Sequence, residues 1–299
     1  MKAKTPIELP SGARLCFSGP ALVMAIVNCN DDSFYAPSRA LGKKALEKAL
    51  LAEEEEAAII DFGAESSRPG ASYISEEEEL EQLIPVIWEF RKRSSLAISV
   101  DTRKAPVARA ALDAGADIIN DISALADDPN MAEICASRGA ALVLMHKKGE
   151  PLTMQKAPYY ENLTEELKFF FRAALEGAFA SGISPEKIIL DPGIGFGKSS
   201  ENNLAIINCL EEICGKDYPV LVGLSRKSFI GDICGKSDAA ERLPGTLAAN
   251  GAAVMGGADI IRVHDVKEHV DLVKILFALG EAGSSSDKLS GSLPGRSIN

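Results

Sequence analysis

Residues able to do chemistry gather in one stretch, PVLVGLSRKSFIG (219–231). Its apolar run, 220–224, is of the kind that forms a buried strand, and it stops on Ser225-Arg226-Lys227-Ser228. Two hydroxyls and two cations therefore meet at one strand end. The chain carries 43 acidic residues against 32 basic ones, so paired cations there stand out from its average charge. Alone they would fit a solvated turn. Seven further apolar runs also end on polar residues, however: Asn28, Asp61, Asp101, Asn120, His146, Asp191, and Arg262 with His264. Asp101, Asn120, Asp191 and Lys227 supply acceptors and donors suited to a flat, nitrogen-rich heterocycle, because a carboxylate pairs with an N–C–N edge much as with a guanidinium. Ser67, Arg68, Arg262 and His264 suit a polyanion such as a diphosphate.

Other residues carry weaker signals. GIGFGK (193–198) lacks the spacing of a phosphate-binding Gly-x-x-x-x-Gly-Lys-Ser/Thr loop. It reads as a flexible loop that packs Phe196 on a ring. His146 fits a capped core histidine as well as a ligand. His269 lies inside a helix and reads as a surface residue, and Asp61 reads as structural, bonding loop amides. No His, Asp and Glu set has zinc spacing, and no Gly-x-Ser-x-Gly elbow is present.

The elements that must position these residues alternate. Apolar runs at 22–27, 57–60, 96–100, 117–119, 141–144, 187–190, 220–224 and 259–261 are each followed by a helical pattern. Ser75 predicts an N-cap, the run Glu76 to Glu79 a solvated first turn, and Gly139 a helix stop. Eight strand–helix units predict an α/β chain closing as a (β/α)8 TIM barrel, in which all strand C-termini converge on one face. A doubly wound open sheet is the alternative. Residues 1–20 read as an irregular or short-strand lead-in. The expected organisation is one domain over 1–283, with a Ser- and Gly-rich disordered tail over 284–299.

Composition narrows the partners. The chain has 299 residues, is 46% hydrophobic and carries a net charge of −11, which argues against nucleic acid or an anionic membrane as the main partner. No apolar run reaches the roughly 18–20 residues of a membrane span. The six cysteines are scattered without Cys-x-x-Cys pairs, the pattern of reduced cytoplasmic thiols.

With these residues in place, the chain resembles the dihydropteroate synthase group of pterin-binding barrels over roughly 24–276. The segments that carry the likeness are IIDFGAESSRPGA (59–71), ISVDTRK (98–104), IINDISAL (118–125), LMH (144–146), ILDPGIGFGK (189–198), GLSRKSFIG (223–231), RLPGTLAA (242–249) and RVHDV (262–266). In that order they are specific together and weak singly. The resemblance implies a transferase of folate biosynthesis: 4-aminobenzoate attacks the methylene of a hydroxymethyl-dihydropterin diphosphate, which loses diphosphate. It implies Mg²⁺ near Asn28, a homodimer, and the role of a sulfonamide target. It places Asp101, Asn120, Met145, Asp191, Phe196, Gly223 and Lys227 at the pterin. Asn28, Ser67, Arg68, Arg262 and His264 fall at the diphosphate, and Phe34, Pro69, Ser225 and Arg226 near the aminobenzoate. Asp101, Lys227, Arg262 and His264 would be catalytic. One loop departs from the family pattern: Asn30-Asp31 stands where Thr-Pro is usual, removing a stiff φ and adding a carboxylate. Ser67 replaces a usual Thr. Two other functions stay open: a related methyltransferase domain holding methyl-tetrahydrofolate, and a non-catalytic pterin or anion binder.

Overall fold

Side chains along the strands alternate between two environments, and this parity sets the site. The computed structural model describes residues 4–30, 41–65, 73–149, 154 and 158–286. A hairpin of β1 (Ile7–Glu8) and β2 (Arg14–Leu15) comes first. Eight parallel strands follow: β3 (Leu22–Asn28), β4 (Ile59–Gly63), β5 (Ala97–Asp101), β6 (Ile118–Asp121), β7 (Ala141–Met145), β8 (Ile188–Asp191), β9 (Leu221–Val222) and β10 (Ile260–Val263). Each pairs with its neighbour in the order β8-β7-β6-β5-β4-β3-β10-β9. A bridge between Leu190 and Val220, with Leu190 N–H donating to Pro219 O at 2.9 Å, joins β8 to β9 and closes the ring as a (β/α)8 barrel.

One parity faces the helices: Ile60, Phe62, Ile98, Val100, Ile119, Leu142, Leu144, Ile261 and Val263 belong to the outer core. The other parity faces the barrel interior and changes character along the strand. At its N-terminal end lie Met24, Ile59, Ala97, Ile118, Ala141, Ile189, Leu221 and Ile260, which form a separate apolar cluster with Ile7, Leu9 and Leu15 of the hairpin. Two or four residues further on, in phase with these, come Asn28, Asp61, Asp101, Asn120, Met145, Asp191, Gly223 and Arg262. The barrel thus has an oily floor and a polar mouth. The lead-in is that floor's plug. Ser11 N–H donates to Asp117 Oδ1 at 2.9 Å, and Lys4 pairs with Asp259 at 2.5 Å.

The helices between the strands are α1 (Leu41–Glu54), α2 (Glu76–Arg91), α3 (Ala105–Asp113), α4 (Met131–Arg138), α5 (Leu163–Ala180), α6 (Ser200–Asn208), α7 (Leu210–Cys214), α8 (Ser228–Cys234), α9 (Leu243–Met255) and α10 (Val266–Ser286). Ser75 caps α2 in a reciprocal box with Glu78, and Gly139 ends α4 at φ 62°, as their residue types predict. Several expectations need correction. Glu79 is buried in an ion pair with Lys104 at 2.5 Å, so the acidic turn is solvated only over Glu76–Glu78. The helical stretch after β8 is broken at Cys209 between α6 and α7, because its φ of −124° leaves the helical region. The strand read over 220–224 pairs only across Leu221–Val222 with β10, and α8 was not anticipated. α10 runs to Ser286, past the expected domain edge at 283, and 287–299 lie outside the described residues.

Candidate active site

Four strands of the barrel mouth converge on Arg262, which β10 sends into the interior. Its Nε donates to Asp61 Oδ2 at 2.6 Å and its Nη2 to Asp101 Oδ2 at 2.9 Å. Asn120 Nδ2 donates to the same Asp61 oxygen at 3.4 Å. Asp61, Asp101 and Asn120 are all buried. Register explains the grouping: Asp101 pairs across β5–β6 with Asn120, and across β4–β5 with Gly63, which has no side chain to cover it. Burial pushes the Asp101 carboxyl up to about 7; the charge of Arg262 opposes the rise, and Asp61, Glu79 and Glu65 add to it. Burial also works against the charge on Arg262, but Asp61 and Asp101 overcome it and hold the guanidinium above its ordinary value. Asp61 is therefore a partner of a site arginine; its reading as a cap for loop amides is corrected. The outer oxygens Asp61 Oδ1 and Asn120 Oδ1 are buried and lack a hydrogen-bond partner among the described residues. Unmet acceptors in such a place call for a donor-rich ligand.

The second half of the mouth is built by the loops after β8 and β9. Asp191 Oδ1 accepts Gly193 N–H at 2.7 Å. Burial raises its carboxyl, while Gly193 N–H and the charges of Lys227, Lys198 and Arg262 hold it down. Lys227 Nζ donates to Ile194 O and stands 4.6 Å above the Phe196 ring. Burial draws the Lys227 ammonium down to about 8, against the pull of Asp191. Met145 pairs in register with Asp191, and a Cβ added at Gly223 would lie 4.0 Å from both Arg262 Cβ and Lys227 Nζ. His264 sits beyond Arg262 at the rim, its Nδ1 2.9 Å from Ser225 Oγ. Arg226, at φ 57°, grips Asp265 through Nε and Nη2 at 2.9 and 2.5 Å.

Asn28 ends β3 half-buried on the same interior parity, while Asn30 Nδ2 ties the next loop to Ala64 O at 2.8 Å. Phe34, Ser67, Arg68 and Pro69, and the first-loop departure at Asp31, lie outside the described residues. Glu65 accepts from Arg103 Nε at 2.9 Å, Lys104 Nζ at 3.2 Å and Ile74 N–H at 3.1 Å. Glu65, Arg103 and Lys104 were not singled out from sequence, though they lie within the quoted segments ESSRPG and DTRK. His269 is fully buried, which corrects its reading as a surface residue; its Nδ1 lies 2.5 Å from Asp265 O and its Nε2 3.0 Å from Asn250 Nδ2. His146 is buried beside Lys198, and burial pulls its imidazole down to about 3, which keeps it neutral. No group of three or more His, Cys, Asp and Glu side chains that could hold a metal ion occurs among the described residues.

This arrangement agrees with what known proteins share with the chain. Residues 24–264 match the family model described as "Pterin binding enzyme". The chain is 43% identical over 276 residues to dihydropteroate synthase of Synechocystis sp., covering 92% of this chain and 96% of that protein. Among solved structures, Burkholderia cenocepacia dihydropteroate synthase complexed with 7,8-dihydropteroate superposes with a TM-score of 0.86 at 34% identity, covering 95% and 100% of the two chains. Xanthomonas albilineans dihydropteroate synthase with 4-aminobenzoic acid gives 0.84 at 37% identity, covering 92% and 99%. Barrel, polar mouth and sequence likeness all lead to one assignment: the chain belongs to the pterin-binding enzyme family, beside the dihydropteroate synthases of Synechocystis sp., Burkholderia cenocepacia and Xanthomonas albilineans.

Proposed function

We propose that the chain joins 6-hydroxymethyl-7,8-dihydropterin diphosphate to 4-aminobenzoate, giving 7,8-dihydropteroate and diphosphate. The observation that carries this reading is the set of unmet acceptors at the mouth. Asp191 and the orphaned Asn120 Oδ1 offer a buried acceptor edge, and Lys227 a donor, over the Phe196 ring. A pterin has adjacent N–H donors along one edge and ring nitrogens and oxygen as acceptors. Asp191 and Asn120 take the donors and Lys227 an acceptor, with Met145 and Gly223 shaping the walls.

The reaction breaks the bond between the pterin methylene and the diphosphate oxygen, and the electron pair leaves with the diphosphate. Positive charge left on the methylene is steadied by the Asp101 carboxylate, which Arg262 keeps oriented. Arg262 and His264, with Ser67 and Arg68, receive the negative charge that departs. Ser225, Arg226, Phe34 and Pro69 border the aminobenzoate. Its amine is neutral at physiological pH, so it attacks through its lone pair and sheds a proton afterwards; a strong general base is not required. The donors present suit Mg²⁺: Asn28 offers one neutral oxygen, and Mg²⁺ is commonly bound by one or two protein oxygens plus substrate phosphates. When bound there, the ion would neutralise charge on the leaving diphosphate. We further assign a cytoplasmic location, in keeping with the free thiols of Cys16, Cys135, Cys209, Cys214 and Cys234, and a homodimer through the last helices, where Met255, Ile275 and Leu279 are exposed. No helix among the described residues is long and apolar enough to cross a membrane.

The test is incubation with the pterin diphosphate, 4-aminobenzoate and Mg²⁺, following diphosphate release. Release that depends on the amine supports the proposal. Tight pterin binding without release would favour a non-catalytic binder and overturn it.

A further inference from the structure

Lys198 is the only lysine or arginine among the described residues that is buried outright, with 2% of its surface exposed. It ends the loop GIGFGK and folds back beneath it. Its Nζ donates to Gly193 O at 2.9 Å, Phe196 O at 3.1 Å and His146 O at 3.3 Å, and lies 2.9 Å from His146 Nδ1. Four acceptors surround a group with three N–H donors, and no carboxylate is among these hydrogen-bond partners. The loop it holds is pressed onto the segment after β7. A Cβ at Gly193 would fall on His146 O, and one at Gly197 on Lys148 O. Both glycines have positive φ, 65° and 67°. The same loop supplies Ile194 O and the Phe196 ring to Lys227, and Gly193 N–H to Asp191.

On the reading of this mouth as a pterin site, we infer that Lys198 is a positioning residue whose ammonium charge holds the loop after β8 in the shape that binds the pterin. A neutral amine would keep two donors and turn a lone pair towards a carbonyl oxygen or His146 Nδ1. One bond would be lost and one repulsion added at a site that water does not reach. Charge state and loop shape are thereby linked. The charged or titratable groups facing Lys198 are His146 and Lys148 from the β7 side, Asp191 from β8 and Lys227 from the loop after β9. Tyr160 completes the shell by donating its OH to Gly197 O at 2.9 Å. Burial draws the ammonium down to about 7, Asp191 opposes this, and Lys227 and Lys148 add to it. His146 stays neutral and accepts through Nδ1, with its proton on Nε2. The loop is therefore poised to lose its staple as pH rises through neutrality, and pterin binding draws a proton onto Lys198.

The experiment measures the dissociation constant of the pterin diphosphate by calorimetry from pH 6 to 9 for wild type, Lys198→Met and Lys198→Arg, with the KM for 4-aminobenzoate at saturating pterin. Lys198→Met should bind the pterin about tenfold or more weakly at pH 6.5, the scale expected of a misplaced binding group. It should leave the aminobenzoate KM within about twofold, and lose the decline in affinity centred near pH 7 that wild type shows. Lys198→Arg should recover part of the affinity. If Lys198→Met does not fold, His146→Leu decides: removal of one acceptor must move the wild-type midpoint to lower pH, and an unmoved midpoint overturns the inference. Folded Lys198→Met with wild-type affinity and wild-type pH dependence overturns it as well. Wild type that binds no pterin would instead overturn the functional reading on which it rests.

Discussion

Arg262 is gripped from two sides, and the two bonds have different consequences. The Asp101 bond orients the carboxylate proposed to face the reacting carbon; the Asp61 bond fixes the guanidinium through Nε. Asp61→Asn keeps an acceptor but removes the charge that holds Nε. Hydrogen bonds to charged groups contribute about 1.5–3 kcal/mol, so kcat/KM should fall by about 10–100-fold while the chain stays folded; activity at wild-type level would remove Asp61 from the site. Arg262→Ala leaves two buried carboxylates facing each other. Removing one partner of a buried pair costs about 3–5 kcal/mol, so urea unfolding should show a large loss of stability alongside the loss of activity. The pH profile follows from the same groups. In the proposed reaction Asp101 must be charged to steady the methylene, which requires pH above about 7, and Lys227 must keep its proton, which requires pH below about 8. With the titration of Lys198 removed in a Lys198→Met background, the profile of kcat/KM for the pterin should be a narrow bell between these values. Lys227→Arg should lower the peak yet move the alkaline limb outward, and an unmoved limb would show that another group sets it. Stability has the opposite sign. Asp101 titrates above its ordinary 3.8 when folded, so between 3.8 and about 7 the folded chain binds more protons and its stability falls as pH rises. Asp101→Asn should gain stability relative to wild type over that interval.

The loop after β8 and the cap of α4 both depend on glycine at positive φ, and they separate two costs. Gly139 (φ 62°) has nothing within 4 Å of an added Cβ, whereas a Cβ at Gly193 (φ 65°) would collide with the backbone carbonyl of His146. The left-handed conformation alone costs a non-glycine residue about 1–2 kcal/mol. Gly139→Ala should therefore lose about that much stability and keep its activity. Gly193→Ala must in addition push β7 and β8 loops apart, so its loss of pterin affinity should exceed its loss of stability. Equal effects of the two substitutions would refute the close packing of the loops. These elements also mark how far the sequence could be read. Parity and strand ends are local properties, so Asp101, Asn120, Asp191, Lys227 and Arg262 could be placed at one mouth from the order of apolar runs. Asp61 was placed there too, but not as the partner of Arg262; its pairing, and the burial of Lys198, Glu79 and His269, could not be read, because these depend on partners 2 to 201 positions away. The segment GIGFGK was legible as a loop; that its lysine turns inward depends on three carbonyls that only the folded loops bring together.

At the scale of the molecule, the barrel separates what holds it together from what reacts. The candidate site lies at the C-terminal ends of the strands, and the opposite end is closed by the hairpin through Ile7, Leu9 and Leu15. Ile7 is fully buried and Leu15 is 3% exposed. The short lead-in read from residues 1–20 thus stands in for a missing layer of side chains, because eight strands leave an interior that must be filled from below. Truncating a buried isoleucine to alanine costs about 2–5 kcal/mol. Ile7→Ala should lower the unfolding free energy by an amount in that range, because the plug is tied at Asp117 and Asp259 and cannot follow the cavity inward. The polar layer is separated from Ile7 by the apolar residues Met24, Ile59, Ile118 and Ile260, so its geometry does not depend on the plug's detailed packing. The pterin dissociation constant of Ile7→Ala, measured well below its unfolding temperature, should stay within about twofold of wild type, as expected for sites beyond the distance at which effects couple. A large loss of affinity at full foldedness would mean that the floor and the mouth are mechanically coupled, and the division between scaffold and site would have to be abandoned.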